Sequence, residues 1–304
     1  MIIVNDIEEI QRPEPTSLAL GNFDGIHIGH LKVIEAANSL IKDKRDIRRA
    51  VFTFKENPHK SPAVVTREDK EKIMEEHGVE LLFSVDFSQV KDVAAEVFFK
   101  EILLKKCNAR AVCCGEDFKF GYRAAGDVEL LKRLCSESGV VLKVVPEVNY
   151  KGARVSSTRI REAIRAGNME EANHMLGRPF GFALEVIHGN HIGRGLGTPT
   201  INQALPEDFI LPKFGVYASV VQMDGDMYYG VTNIGVKPTV GSDKVLSETW
   251  IPEFSGDLYG KKVRVWIHHF IREERKFASL EEMKAEILKN ARSAREFFEL
   301  KIEN

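Results

Sequence analysis

A chain of 304 residues, 43% hydrophobic and 29% charged, has the balance of a folded protein long enough for two ordinary domains, which excludes a disordered chain. Its 43 Lys and Arg against 45 Asp and Glu predict no broad nucleic-acid footprint, with a local basic patch left open. No apolar run of about 18 residues is present to cross a bilayer, and the opening MIIVNDIEEI lacks the basic and apolar regions of a signal peptide, so a cytoplasmic protein with no membrane partner is expected.

The first half alternates apolar strands with helical patterns. A strand at 16–20 passes through Gly21-Asn22-Phe23-Asp24-Gly25 into a helix that opens on His27-Ile28-Gly29-His30. Strands at 47–54, 79–85, 109–114 and 140–146 then alternate with helices at 66–77, 93–105 and 127–138. This is the pattern of a mostly parallel α/β sheet, whose ligands gather beyond the carboxyl ends of the strands. The four cysteines, Cys107, Cys113, Cys114 and Cys135, form no pair of CxxC motifs and read as packed, reduced thiols.

Short helices at 157–166 and 169–176 precede Gly177-Arg178-Pro179, which predicts domains at 1–178 and 179–304. Beyond that point the pattern turns β-rich, with strands at 182–188, 215–223, 227–232 and 262–270 and a hairpin turn at Asp224-Gly225. Strands segregated in this way predict a small antiparallel barrel. An amphipathic helix at 279–300, with a capping box from Ser279 and Glu282, is expected to cover it.

Two segments in the first half point to nucleotide chemistry. His27 and His30 share a helix face, and the positive end of that helix with its unbonded N–H groups favours phosphate. Asn22 and Asp24 lie on the same turn, where they can contact a nucleotide and its metal-associated phosphates; Asp24 as a helix cap beside ordinary histidines reads equally well from this segment alone. In Ser156-Ser157-Thr158-Arg159-Ile160-Arg161, Ser157 or Thr158 can cap a second phosphate-facing helix, with the Arg161 guanidinium fork on a phosphate oxygen. A plain cap with a solvent-facing arginine is the alternative.

The second half carries a different constellation, Gly193-Arg194-Gly195-Leu196-Gly197-Thr198-Pro199-Thr200-Ile201-Asn202. Gly193 and Gly197 permit tight backbone turns near phosphate, Arg194 adds a charge, and Thr200 and Asn202 offer oxygens to Mg²⁺. The spacing is not that of a P-loop, and a glycine-rich barrel edge is the other reading. Glu248, in Ser247-Glu248-Thr249-Trp250, is a candidate base for an attacking alcohol, or a solvent-facing strand residue.

GNFDGIHIGH with VSSTRIR resembles the adenylyltransferase module of the bacterial bifunctional riboflavin kinase/FMN adenylyltransferases. GRGLGTPTIN, the Glu248-Thr249 pair and GDLYG resemble the kinase module of the same family. The resemblance covers roughly residues 15–300. It implies an α/β nucleotidyltransferase domain with a parallel sheet, followed by a small antiparallel β-barrel kinase domain with a C-terminal helix.

It further implies that Mg²⁺ and ATP serve both reactions, with riboflavin and FMN as substrates. His27, His30 and Arg161 would align ATP, supported by Ser157 and Thr158. Thr200 and Asn202 would hold Mg-ATP, and Glu248 would activate the riboflavin 5′-hydroxyl. Asp117 and Phe118 match a segment facing the flavin, or a loop with Phe118 packed in the core, and Arg272 lies in a tail like the family's flavin-side segment, or is an ordinary surface charge. Two departures stand out: Asn57 occupies the usual position of a histidine, with His59 shifted by two, and Trp250 replaces the histidine common after the Glu-Thr pair. A class I aminoacyl-tRNA synthetase shares the HIGH tetrapeptide but not the second motif set. A single-activity flavin transferase, or a regulatory protein that binds flavin and nucleotide without turnover, is the remaining rival.

Overall fold

The computed structural model of the chain describes residues 1–11, 13–41, 46–58, 60–189, 198–239 and 242–302. The chain forms two compact units, Met1–Ser157 and Thr158–Asn304. Strands β1 (Ile2–Val4), β2 (Thr16–Leu20), β3 (Arg48–Phe54), β4 (Leu81–Val85), β5 (Ala109–Gly115) and β6 (Val141–Val145) make the sheet of the first unit, all parallel, in the order β1-β4-β3-β2-β5-β6. Its main helices are α1 (Ile28–Ser39), α2 (Arg67–Glu76), α3 (Ala95–Val97, carried on by π-type turns over Phe98–Lys106) and α4 (Val128–Ser138).

Burial on both faces explains why β2 and β4 read as continuous buried runs. Alternate residues serve opposite cores: Leu18, Leu20, Phe52 and Cys114 pack on one side, Ala19, Val51, Met74 and Cys113 on the other. All four cysteines are buried free thiols, and burial pushes Cys135 up to about 11 and Cys113 and Cys114 up to about 12. Helix caps follow the sequence signals, with Thr66 accepting from Asp69 N and Asp127 from Leu130 N. The strand order reverses between β2 and β5, which opens a cleft beyond their carboxyl ends.

A small hairpin, β7 (Asn149–Tyr150) and β8 (Ala153–Arg154), precedes α5 (Ser157–Ala166) and α6 (Met169–Leu176). The second unit is a curled antiparallel sheet of β9 (Phe180–Glu185), β10 (Thr200–Ala204), β11 (Gly215–Met223), β12 (Asp226–Thr239), β13 (Ser242–Trp250) and β14 (Lys262–Arg272), in the order β10-β13-β12-β11-β14-β9. Asp224 and Gly225, both at positive φ, turn the β11–β12 hairpin. Helix α6 docks through Asn173, whose amide donates to Ile267 O at 3.0 Å and accepts from Phe180 N at 2.7 Å. Helix α7 (Leu280–Ile302) lays Ala294 and Phe298 on Val216, Ala218 and Val231. On the opposite sheet face, Ser219, Thr232 and Thr249 satisfy one another's hydroxyls inside the curl.

The parallel α/β sheet, the curled antiparallel sheet and the terminal helix agree with the sequence expectation. Strands β1, β10 and β13 were not foreseen as elements, and β12 runs on to Thr239 rather than stopping at 232. Polar residues interrupt β10 and β13, and their burial comes from neighbouring strands rather than from their own alternation.

One turn is tightly determined. Gly121 has φ +75°, and a Cβ there would lie 2.6 Å from the Ala95 backbone. Gly121→Ala is expected to destabilise the first unit by about 1–3 kcal/mol. A lowered urea midpoint at unchanged slope is the readout; an unaltered midpoint would contradict the close approach.

Candidate active sites

The first site grows from the turn after β2. Phe23, Gly25 and Ile26 all adopt positive φ, and the buried Phe23 and Ile26 side chains hold this strained path in the core. The turn delivers His27 as the cap of α1, its Nδ1 accepting from His30 N at 3.2 Å. That bond fixes the neutral tautomer with the proton on Nε2. The two imidazoles stack at 3.6 Å, and Phe23 meets His30 edge-on. Gly29 is needed because a Cβ there would lie 3.1 Å from the His27 ring. The cap is therefore His27 and not Asp24.

A cavity of about 720 Å³ opens here, lined by Asn22, His27 and His30 on one side and by Gly115, Asp117, Phe118 and Phe120 beyond β5 on the other. Its size is that of a site for a large organic ligand. Phe118 and Phe120 stack at 5.7 Å, and Asp117 pairs with Arg154, which also binds Glu147 at 2.9 Å. The bond to Asp117 is the chief cause of a raised Arg154 pKa. Ser157 lines the cavity too, its hydroxyl donating to Asp24 O at 2.8 Å.

Asp24 and Asn57 are not in the lining but behind it. Asn57 bridges, accepting from Asn22 Nδ2 at 3.1 Å and donating to Asp24 Oδ2 at 3.3 Å. Asp24 Oδ1 also accepts from Val64 N. Thr158 and Arg161 fall in the second compact unit, where Arg161 is buried at 6% exposure rather than facing solvent. His59 lies outside the described residues.

Sequence reasoning missed Lys70. The residue as a whole is half-buried, but its ammonium is enclosed, donating to Asn22 O at 3.0 Å, Thr53 Oγ1 at 3.0 Å and Phe54 O at 3.1 Å. Burial pushes its pKa down to about 8, partly offset by the carboxylates of Asp24 and Glu71. A signal existed: Lys70 stands three and four residues before Ile73 and Met74, on the buried stripe of α2.

The second site is a row across the curled sheet. Asn202, Glu248 and Asn233 are directly paired on β10, β13 and β12, so their side chains share one face. Thr200 lies two residues before Asn202 on that face, paired with Trp250. A cavity of about 270 Å³, lined by Thr200, Asn202, Phe254, Asp257 and Tyr259, opens beside it; Glu248 and Trp250 are half-buried and outside that lining. Asn202 is 5% exposed, and its Oδ1 has no partner among the described residues. An orphaned neutral oxygen beside a threonine fits Mg²⁺, which takes oxygen ligands and keeps places for phosphate and water.

Arg272 ends the same row, three strands from Glu248 through Val216 and Asn233. It is held under α7 by Glu286 at 3.2 Å and Asn290 at 3.2 Å, with Phe277 over its guanidinium. Gly193, Arg194 and Gly197 lie outside the described residues.

Comparison with known proteins follows the same division. The family model described as FAD synthetase matches residues 9–159, and the one described as riboflavin kinase matches residues 176–298. The bifunctional riboflavin kinase/FMN adenylyltransferase of Escherichia coli (strain K12) is 34% identical over 292 residues, 93% of each chain. That of Pseudomonas fluorescens is 34% identical over 284 residues, 91% of each chain. Among solved structures, one described as a macrolide-efflux protein from Streptococcus pneumoniae superposes with a TM-score of 0.87 at 30% identity, covering 97% of this chain and 98% of that one. Among the described residues, no helix is long and apolar enough to cross a membrane.

The Lys70 ammonium makes a pH prediction. Its folded pKa of about 8 lies below the ordinary lysine value, about 10.4. Between those values the unfolded chain binds more protons, so this group's contribution to stability rises with pH across that window. Lys70→Met should lack the rise, while the thiols, whose burial acts in the opposite sense, cancel in the comparison. Urea midpoints from pH 7 to 10 read the difference; parallel curves for the two proteins would remove Lys70 as its source.

Proposed function

The chain belongs to the bifunctional riboflavin kinase/FMN adenylyltransferase family, and from that membership we propose that it makes FAD from riboflavin in two ATP-dependent steps. The observation that carries this reading is that each compact unit holds its own pocket, one at the His27–His30 turn and one at the Thr200–Asn202 strand. Residues 1–178 form the adenylyltransferase module and residues 179–304 the kinase module.

In the kinase step, the riboflavin 5′-hydroxyl attacks the γ-phosphorus of ATP, the bond to the β-phosphate bridging oxygen breaks, and FMN and ADP result. A neutral alcohol is a poor nucleophile, so a base is needed. Glu248 takes the hydroxyl proton, supported by its place in one row with Asn202. Thr200 and Asn202 would hold Mg²⁺, which when bound neutralises charge on the phosphates. Arg272 serves the flavin side from the far end of the row. Gly193, Arg194 and Gly197 approach the phosphates on the resemblance of their motif alone.

In the second step, the FMN phosphate attacks the α-phosphorus of another ATP, and pyrophosphate leaves. This nucleophile is already ionised near neutral pH, so alignment and charge stabilisation dominate. His27 and His30 donate toward the phosphorus oxygens, with Asn22 and Ser157 lining the approach; Thr158 is assigned to the phosphates on its motif alone. Arg161 is assigned to the same phosphates on its motif alone. Phe118 stacks on the flavin, while Asp117 shapes its wall through Arg154. Asn57 and Asp24 support the turn from behind. The buried, free thiols suit a reducing compartment, which supports a cytoplasmic enzyme.

Purified protein with riboflavin, ATP and Mg²⁺ should yield FMN and then FAD, with ADP and pyrophosphate, by chromatography. Absence of both flavin products would end the proposal. Glu248→Gln should suppress FMN formation while FAD formation from supplied FMN persists. His30→Ala should do the reverse, with adenylyl transfer slowed by roughly 10²-fold. Circular dichroism establishes that each variant is folded; a folded Glu248→Gln protein with undiminished kinase turnover would remove Glu248 as the base.

A further inference from the structure

Strand β10, which carries Thr200 and Asn202, is an edge strand among the described residues, paired in the sheet with β13 alone. On its open side, among the described residues, the backbone offers one bridge, Ile187 N–H donating to Asn202 O at 2.8 Å. The other link across that seam is a side chain. Gln203 is fully buried, and its Nε2 donates to Leu184 O on β9 at 2.7 Å and to Val263 O on β14 at 2.8 Å. Leu184 and Val263 are themselves paired, so one amide ties three strands together with both of its N–H groups.

This arrangement is costly. The Oε1 of Gln203 has no partner among the described residues, and neither has the Oγ of Ser247, its direct opposite on β13. An apolar residue would avoid burying an unpaired oxygen. What the amide adds is the pair of bonds across the seam. Because successive side chains alternate, a Gln203 fixed on the inner face sets the outward aim of Thr200 and Asn202. The Gly189 backbone also lies close to the Asn202 amide, since a Cβ there would stand 2.5 Å from Nδ2.

We propose that Gln203 is a positioning residue for Mg-ATP in the kinase reaction, clamping the open edge of β10 so that Asn202 presents its oxygen to the metal-bound nucleotide. The inference rests on the reading that Thr200 and Asn202 face Mg-ATP. Gln203→Met keeps the bulk and removes both donors. It should raise KM for Mg-ATP in riboflavin phosphorylation roughly tenfold, the low end of what loss of support behind a metal ligand costs, because Gln203 acts through the strand and not by a bond to Asn202, with kcat at saturating Mg-ATP retained. Ser247→Ala removes only the unpaired hydroxyl and should leave KM for Mg-ATP unchanged.

Asn202→Ala separates the proposal from the reading beneath it. If Asn202→Ala leaves KM for Mg-ATP unaltered, the nucleotide reading of β10 fails and the proposal falls with it. If Asn202→Ala raises KM and Gln203→Met does not, only the role of Gln203 is overturned. A loss of kcat at unchanged KM would make the amide a support of the barrel alone, and an equal rise in Ser247→Ala would deny the N–H groups any special part. Gln203→Leu carries the same test should the methionine variant prove unfolded by circular dichroism.

Discussion

A parallel strand that ends at an open cleft leaves carbonyl groups that no neighbouring strand can meet, and the N-terminal site depends on how those of β2 and β3 are satisfied. Backbone groups buried without partners are scarcely tolerated. A loop laid over the strand ends would close the cleft. Lys70 solves this from the side, reaching in from α2 to the Asn22 and Phe54 carbonyls and the Thr53 hydroxyl. Asn22 is thereby pinned where the strained turn begins. From there the path is determined in sequence: Phe23 and Ile26 in the core, His27 as the cap of α1, His30 stacked on His27. A desolvated ammonium is expensive, as its depressed pKa records, and the carboxylate of Asp24 offsets part of that cost.

The C-terminal unit faces a different constraint. Its sheet is antiparallel, so functional side chains come from strand faces rather than strand ends, and their spacing is set by register. The row from Asn202 through Glu248 and Asn233 to Arg272 spans β10, β13, β12, β11 and β14. With strands about 4.8 Å apart, Glu248 and Arg272 stand roughly 14 Å from one another along it, a span suited to an extended ligand. Glu274 folds back on this row, accepting from Asn233 Nδ2 at 3.0 Å, over a Gly235 that leaves it room.

The first unit was legible because its signals are local. Strands of β-branched and aromatic residues alternate with capped helices, and His27-Ile28-Gly29-His30 sits where one becomes the other. The second unit was legible in outline, from β11, β14 and the capping box of α7. Strands β10 and β13 escaped because Thr200-Ile201-Asn202-Gln203 and Ser247-Glu248-Thr249 carry polar residues on both faces: one face holds the candidate site residues and the other takes part in a hydrogen-bonded interior. Periodicity cannot register a strand whose two faces are both polar. Lys70 escaped for a related reason, since a lysine on a charged helix reads as solvated until the carbonyls it meets, distant in sequence, are known. The chain divides into its compact units after Ser157, while α6 is tied to β9 and β14 by Asn173, a long-range link that no local boundary signal reveals.

The same electrostatics makes sense of Asn57. The residue must accept from Asn22 and donate to Asp24 at once. A neutral amide keeps both an acceptor and a donor end at any pH, whereas an imidazole has both only while neutral and as an imidazolium has two donors and nothing to offer Asn22. A second cation would also stand in the field of the Lys70 ammonium, which the carboxylates of Asp24 and Glu71 already offset. With asparagine there, the bonds behind the turn run from Asp24 through Asn57 to the Asn22 amide, and Lys70 holds the Asn22 carbonyl. The departure from the family pattern is therefore absorbed behind the wall of the cavity, and the cavity wall itself is built by His27, His30 and the aromatic segment beyond β5.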